Sequence, residues 1–162
     1  MTGGLGPGEP TRRTVARVLP VSSDSKVLLL LGCDPAVPAV RYWFTIGGAV
    51  DPGESLADAG ARELREETGI DVPATDLGEP FGTFEVGFAW DGRDYVNDST
   101  MFAVALDETP ISFDGLDRLE SQSIFDAQWW TPEDLDHDGR AVDPRLMDHM
   151  RAAIAHVRGG TT

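Results

Sequence analysis

The chain has 162 residues, 41 % of them hydrophobic, and carries a formal net charge of −15 at pH 7. This length suits one domain with a single core, and the apolar share excludes disorder of the whole chain. A surface so acidic repels phosphate backbones, so we expect no binding to a nucleic-acid polymer.

The first residues, 1–11, are rich in Gly and Pro and lack the apolar stretch of a secretory signal. We expect a flexible leader there, one domain over residues 12–158 and a flexible tail over residues 159–162. No apolar run approaches the roughly 20 residues that a membrane-spanning helix needs. The single cysteine, Cys33, cannot form an internal disulfide, and we interpret it as a small hydrophobic residue at a strand end. We therefore expect a cytoplasmic protein without membrane contact.

The first half of the chain predicts two strands and a central helix. Two runs rich in Val and Leu, Thr14 to Val21 and Lys26 to Leu31, are typical of strands joined by a polar turn. Prolines then precede a short aromatic segment, Arg41 to Ile46. The stretch from Ser55 to Thr68 has no proline and is rich in Ala, Leu, Glu and Arg, which predicts a helix that ends at Gly69.

The second half predicts a hairpin, a short strand and a terminal helix. Phe81 to Trp90 and Tyr95 to Leu106 flank the turn residues Asp91-Gly92. Ala127 to Thr131 is short and aromatic, and Pro144 to Arg158 has apolar residues at helical spacing. Strands mixed with two substantial helices indicate an α/β fold in which helices cover a mixed sheet.

The central helix carries three glutamates on one side. Successive residues turn by about 100°, so Glu63, Glu66 and Glu67 fall within an arc of roughly 100°. Carboxylates crowded in this way repel one another, and a divalent cation would reverse that cost. Mg²⁺ prefers hard oxygen ligands and commonly bridges carboxylates to substrate phosphates. Taken alone, such a charged run is more typical of a solvated helix face, so both interpretations stay open at this point.

The residues around the helix suggest a supporting structure. Glu54 precedes the helix and Arg62 lies about two turns later, so an ion pair between them would brace the preceding loop. Gly47, Gly48 and Gly53 allow backbone conformations that are closed to other residues. A free backbone carbonyl in this loop could face a metal ion.

The segment from Gly48 to Ile70 resembles the box of the Nudix hydrolase family, G-x5-E-x7-R-E-U-x-E-E-x-G-U, in which U is a bulky aliphatic residue. All specified positions match: Gly48, Glu54, Arg62, Glu63, Leu64, Glu66, Glu67, Gly69 and Ile70. At average residue frequencies, a chance match in a chain this long is of order 10⁻⁸. We place the resemblance, and therefore a Nudix hydrolase domain, over residues 12–158.

The resemblance implies an α/β/α sandwich and hydrolysis of a nucleoside diphosphate linked to another moiety, through attack by water on phosphorus. It implies that Glu63, Glu66 and Glu67 bind Mg²⁺, with Mn²⁺ as a substitute, and that the Gly47 carbonyl is a further ligand. It also implies that Arg62 belongs to the active centre as a supporting group. Glu54 and Gly48 give structural support.

The resemblance leaves the general base open between Glu63 and an acid from a later loop. Our candidate for the later acid is Glu120, with Asp126 behind it, although either could be a solvated acid. We expect both in a loop ahead of the strand that contains Trp129 and Trp130, and we interpret the segment from Ile111 to Ser123 as loop.

The substrate is expected to be small and derived from a nucleotide, and homodimerisation stays open. Arg41 and Trp43 are candidate substrate-binding residues, because an arginine can contact phosphate and an aromatic ring can stack on a base. Arg17 and Arg93 could also contact phosphate or ribose. Each of these arginines could equally be an ordinary surface residue, and most of the aromatic residues are expected in the core.

Two metal-binding patterns are rejected. Asp134, Asp136 and Asp138 imitate the start of an EF-hand loop, but the twelfth position is Arg145 instead of a bidentate Glu. We interpret this segment as an acidic connector. The three histidines are dispersed and lack the close spacing of a metal site.

Two other functions compete with hydrolysis. A non-catalytic nucleotide-binding or sensor module can share the same fold, although such modules usually lose box carboxylates and this chain keeps every one. Isomerase chemistry on an isoprenoid diphosphate would need a Cys–Glu pair, and Cys33 has no evident partner. Hydrolysis is the function that we favour.

Overall fold

A computed structural model describes residues 9–118 and 120–159. Most of the predicted leader and tail lies outside these residues, although Thr11 already begins the first strand and Gly159 ends the last helix. The strands are β1 (Thr11–Val21), β2 (Val27–Cys33), β3 (Arg41–Phe44), β4 (Ile46–Ala49), β5 (Gly82–Trp90), β6 (Arg93–Ala105) and β7 (Ile124–Trp130). The α-helices are α1 (Leu56–Thr68), α2 (Pro132–Asp138) and α3 (Leu146–Gly159), and short 3₁₀ turns occupy Ala74–Leu77 and Glu120–Gln122.

The described strands form one mixed seven-stranded sheet with β1 at its centre. The main strand order is β3-β2-β1-β6-β5, while β4 pairs with β1 and β7 pairs with β2. The pairing of β1 with β6 is parallel, and the other pairings of named strands are antiparallel. This arrangement confirms the predicted α/β class with a mixed sheet.

Helices cover both faces of the sheet. Side chains alternate along each strand, so each strand contributes apolar residues to the core on either face. On β1, Ala16 and Val18 belong to a core cluster under α1, whereas Leu19 and Val21 belong to a second cluster under α2 and α3. Within the range of residues that the structure describes, no helix is long and apolar enough to cross a membrane.

Local signals set the two ends of α1. The Ser55 hydroxyl accepts a hydrogen bond from the Asp58 amide at 3.0 Å, and Gly69 adopts a left-handed conformation with φ 76°. Gly60 lets the helix approach the sheet, since a Cβ at this position would lie 3.0 Å from Cγ2 of Val18. The predicted helix is confirmed to within one residue at its start.

Two expectations about local structure need correction. Gly47 and Gly48 lie within β4 and pair with β1, so they belong to the sheet and not to the loop that follows. The acidic segment that we interpreted as a connector contains α2, which Thr131 caps by accepting a hydrogen bond from the Asp134 amide. Leu135, the one aliphatic residue of that helix, is fully buried and anchors it to the core.

Other predictions about structural residues hold. Cys33 is buried at the end of β2. His149 and His156 pack against Phe84 and Phe81, with ring centroids 4.5 Å and 5.9 Å apart. These two histidines therefore have a packing role in the interface between α3 and the sheet.

Candidate metal centre

The floor of the candidate metal centre is the glycine backbone of β4. A Cβ at Gly48 would lie 2.6 Å from Oε1 of Glu63, so this carboxylate rests directly against the strand. Gly47 has φ +147°, and a Cβ there would collide with the Ala16 carbonyl oxygen. The Gly47 amide donates a hydrogen bond of 2.8 Å to Oε1 of Glu67. Glycine at both positions therefore lets two helix carboxylates reach the backbone of the sheet.

Three carboxylates converge above this floor. Glu63, Glu67 and Glu120 each offer an oxygen, and these oxygens lie within 4.8 Å of one another. Glu63 and Glu67 come from consecutive turns of α1, whereas Glu120 comes from the 3₁₀ turn before β7. Glu63 is only 7 % exposed and Glu67 only 3 %. Burying several like charges is costly unless cations or protons neutralise them.

The proton affinities of the three acids reflect this cost. Burial raises the pKa of Glu63 to about 7, and the charges of Glu66 and Glu120 add to the effect while Arg62 opposes it. Burial also raises the pKa of Glu67 well above its usual value, with Glu63 contributing further. Burial raises the pKa of Glu120 as well. Carboxylate oxygens are hard donors, and three of them clustered at one place suit a divalent cation such as Mg²⁺.

Arg62 organises the surroundings of the cluster. Its Nε and Nη2 atoms donate to the two Glu54 carboxylate oxygens at 2.8 and 2.9 Å, which is the predicted ion pair. Its Nη1 atom donates to Glu63 at 2.9 Å and to Glu66 at 3.2 Å, and Nη2 reaches the Ala49 carbonyl at 3.2 Å. The hydrogen bonds from Arg62 lower the pKa of Glu54 to about 2. One guanidinium thus joins the loop before α1, the end of β4 and the acidic face of the helix.

Glu66 occupies a different position from the other box glutamates. Its side chain is 36 % exposed and pairs with Arg62, and it lies outside the group formed by Glu63, Glu67 and Glu120. Asp126, the second candidate for the later acid, accepts a hydrogen bond from the Gln128 side chain on the same strand. The structure therefore brings Glu120, and not Asp126, to the buried glutamates of the box.

The two candidate substrate-binding residues lie in unlike environments. Trp43 is only 2 % exposed and packs at 5.2 Å from the Trp130 ring, in the core cluster under α2 and α3. Its indole is enclosed by the core and is not available to stack on a base, so we withdraw it as a substrate contact. Arg41 is exposed at the start of β3, and its guanidinium carbon lies 3.9 Å from the centre of the Phe125 ring.

Fold and site together define a class of protein, an α/β sandwich with a carboxylate centre on a central helix. The NUDIX domain model matches residues 11–150, and the chain belongs to the Nudix hydrolase family. The family's members hydrolyse pyrophosphate bonds in nucleoside diphosphate derivatives, and the protein is an enzyme of this kind. The family and the enzyme class predicted from the box are therefore confirmed.

Individual relatives agree with this membership. The "Uncharacterized Nudix hydrolase YvcI" of Bacillus subtilis (strain 168) is 33 % identical over 143 residues, which cover 88 % of this chain and 82 % of the relative. The crystal structure of a MutT protein from Methanosarcina mazei Go1 has a TM-score of 0.64 at 21 % identity and covers 95 % of this chain and 99 % of its own. The E. coli dihydroneopterin triphosphate pyrophosphohydrolase has a TM-score of 0.61 at 21 % identity, with coverages of 91 % and 97 %. At such identities the two structures support the fold alone.

Proposed function

We propose that the protein uses Mg²⁺, with Mn²⁺ as a substitute, to hydrolyse the pyrophosphate bond of a nucleoside diphosphate linked to another moiety. The observation that carries this proposal is the convergence of Glu63, Glu67 and Glu120 within 4.8 Å, on a floor of glycine backbone. When bound, such a cation neutralises the diphosphate and activates water for attack.

The residues of the chain take distinct roles in this proposal. Glu63 and Glu67 are metal ligands, because both are buried and adjoin the backbone of β4. Glu66 and the Gly47 carbonyl complete the ligand set that the family resemblance implies. Arg62 and Glu54 fix the loop before α1 against the helix through their paired hydrogen bonds. Arg41 stays a candidate contact for the substrate because the residue is exposed at the start of β3.

Glu120 is our choice for the general base that takes the proton of the attacking water. Glu63 is assigned here to the cation, and its carboxylate already accepts a charge-assisted hydrogen bond from Arg62 at 2.9 Å, so it is less free to receive a proton from water. The Glu120 carboxylate accepts only a long bond, 3.3 Å, from the Asp117 amide among the described residues. Its raised pKa brings it closer to neutrality, where a general base is most effective.

A substrate panel tests this proposal. The purified protein is incubated with Mg²⁺ and with nucleoside triphosphates, ADP-ribose, nucleotide sugars and dinucleoside polyphosphates, and the products are separated by chromatography. We expect one class to be cleaved, and Glu67→Gln to lower the rate by about 10²- to 10⁴-fold, as losses of catalytic groups commonly do. Glu133→Gln is the matched control, because this side chain is 73 % exposed on α2.

Chelation of the metal should abolish turnover in the same assay, whereas Glu133→Gln should leave the rate unchanged. If no substrate is cleaved but a nucleotide raises the melting temperature, the non-catalytic sensor module replaces the hydrolase as the best proposal.

A further inference from the structure

Arg17 is a half-buried cation in the middle of β1. Its Cα pairs with that of Gly47 on β4, and its Nη1 atom donates to the Thr45 carbonyl oxygen at 3.2 Å. The side chain therefore extends along the short bend between β3 and β4. This bend leads directly into the glycine floor of the acidic cluster.

Gly47 is the shared neighbour of Arg17 and Glu67. The Gly47 amide donates to the Glu67 carboxylate at 2.8 Å, whereas a Cβ on Gly47 would lie 2.9 Å from Cδ of Arg17. The absence of a side chain at position 47 thus makes room for the arginine stem as well as for the backbone contact with the carboxylate. Arg17 and the acidic cluster consequently border the same residue.

The guanidinium of Arg17 is poorly compensated by the chain. Across residues 9–118 and 120–159, its hydrogen bond to Thr45 is the only one, and it forms no ion pair. A guanidinium has five N–H donors, and partial burial of this cation with one protein partner leaves it less well compensated than Arg62.

Arg62 is a second arginine near the cluster, and its hydrogen-bond partners come from the protein itself. Its fork binds both oxygens of Glu54, reaches Glu63 and Glu66, and contacts the Ala49 carbonyl. Arg17 lies near the same acidic cluster, but within the described part of the chain its guanidinium donates to Thr45 alone. An anion that enters the site would use the other N–H donors of this guanidinium, and the planar fork of an arginine matches the oxygens of a phosphate group.

We propose that Arg17 is a substrate-binding residue, which donates hydrogen bonds to a phosphate oxygen of the diphosphate while the acidic cluster binds the cation. This inference rests on the proposed function for the identity of the ligand, but it assigns a residue outside the family box. The competing role is structural, in which Arg17 only supports the bend at Thr45.

The test uses Mg²⁺ with methylenediphosphonate, a diphosphate analogue that cannot be hydrolysed, and measures binding by calorimetry. Arg17→Met removes the charge and the donors but keeps the length of the stem. Arg17→Lys keeps the charge and loses the fork. Arg12→Met is the matched control, because Arg12 lies on the same strand and forms exposed ion pairs with Glu85 and Asp98.

We expect Arg17→Met to weaken diphosphonate binding by about 10- to 100-fold, the range typical of lost hydrogen bonds to charged groups. Arg17→Lys should give a smaller loss, and Arg12→Met should bind as the wild-type protein does. The affinity for Mg²⁺ alone should not fall in Arg17→Met, which separates substrate binding from damage to the metal centre.

Diphosphonate binding by Arg17→Met within twofold of wild type would overturn the proposal, and so would absence of binding to the wild-type protein. If Arg17→Met does not fold, the comparison of wild type with Arg17→Lys decides, and equal affinities would count against the role. A wild-type protein that binds the analogue through Arg17 but cleaves no nucleotide would refute the hydrolase proposal and leave this one standing.

Discussion

Gly48 and Glu63 show how one missing side chain positions a carboxylate. The glycine exposes the backbone of β4, and the Glu63 carboxylate fills the space that a Cβ would take. The three atoms nearest to such a Cβ belong to the carboxylate of Glu63, which ends a flexible side chain, and none of them is a backbone atom. A larger residue at position 48 is therefore compatible with the fold but incompatible with the observed place of Glu63.

Gly48→Ala should give a folded protein with an impaired metal centre. The new methyl group would lie 2.6 Å from Oε1 of Glu63, so the carboxylate has to move. We expect the affinity for Mn²⁺, measured by calorimetry, to fall roughly 10- to 100-fold, as it does when the support of a metal ligand is removed. Gly87→Ala is the control, because the nearest neighbour of a Cβ there, among the described residues, would be the Tyr95 carbonyl oxygen at 3.8 Å. Equal Mn²⁺ affinities in the two variants would contradict this account.

Residues of the box were predictable because their interactions are local. Ser55 and Gly69 limit a helix whose glutamates are spaced by its own geometry, and Glu54 reaches Arg62 across eight positions of the chain. Trp43 was not predictable in this way. The face to which its ring points is decided by the pairing of β3 with β2, where Trp43 lies opposite Leu31. A shift of one residue in that register would turn the ring to the other face of the sheet.

At the scale of elements, α3 covers the sheet through aromatic contacts with histidine. The ring of His149 lies over Phe84, with centroids 4.5 Å apart, at the interface with β5. Burial lowers the pKa of His149, and Arg145 adds to the effect, while Asp143 and Asp148 oppose it. The neutral ring is therefore the form that suits the packed interface.

The depressed pKa of His149 predicts a loss of stability in acid. Because the folded state holds this proton less tightly than the unfolded state, the contribution is fully present above the ordinary pKa of 6.5 and is lost as pH falls through the folded value. We expect His149→Phe to gain melting temperature relative to wild type between pH 7.5 and pH 5. The same substitution at exposed His137 is the control and should show no such trend. A parallel pH profile of His149→Phe and wild type would refute the prediction.

The loop before β7 shows what sequence patterns leave out at this scale. Glu120 is far from the box along the chain, and only the folded path of the loop brings it to Glu63 and Glu67. This path is anchored where the Ser112 amide donates to the Thr68 carbonyl at 2.8 Å, at the end of α1. Gly115 packs so closely that a Cβ would lie 2.8 Å from the Glu66 carbonyl oxygen. Such contacts depend on tertiary packing. The sequence alone therefore predicts Glu120 as an acid in a loop, but not its proximity to Glu63 and Glu67.

At the scale of the whole molecule, the acidic cluster makes the stability depend on pH. The pKa of Glu63 is raised to about 7 from 4.5 and that of Glu67 is raised too. Without a cation, the stabilising effect of their protonation is fully present below the ordinary pKa of 4.5. It is lost as pH rises through the folded values, because the unfolded chain releases these protons first.

Divalent cations should therefore stabilise the protein more at pH 8 than at pH 5. The ligands have to lose their protons before a cation binds, so the rise in melting temperature on adding Mg²⁺ should grow across this interval. Differential scanning fluorimetry with Mg²⁺ or with a chelator measures the difference. Glu67→Gln should remove most of it, and Glu133→Gln should retain it. A rise in melting temperature that is independent of pH would show that the cation binds elsewhere.

The parallel pairing at the centre of the sheet has a consequence for the order of folding. Arg13 on β1 lies beside Asn97 on β6, its hydrogen-bond partner 84 positions along the chain. Closing so long a loop is entropically costly, whereas the contacts within α1 are local. During synthesis, β4 and α1 both emerge before β6, which is the parallel partner of the strand that pairs with β4. The glycine floor and the glutamates are therefore both present in the nascent chain before the central pairing of the sheet can form.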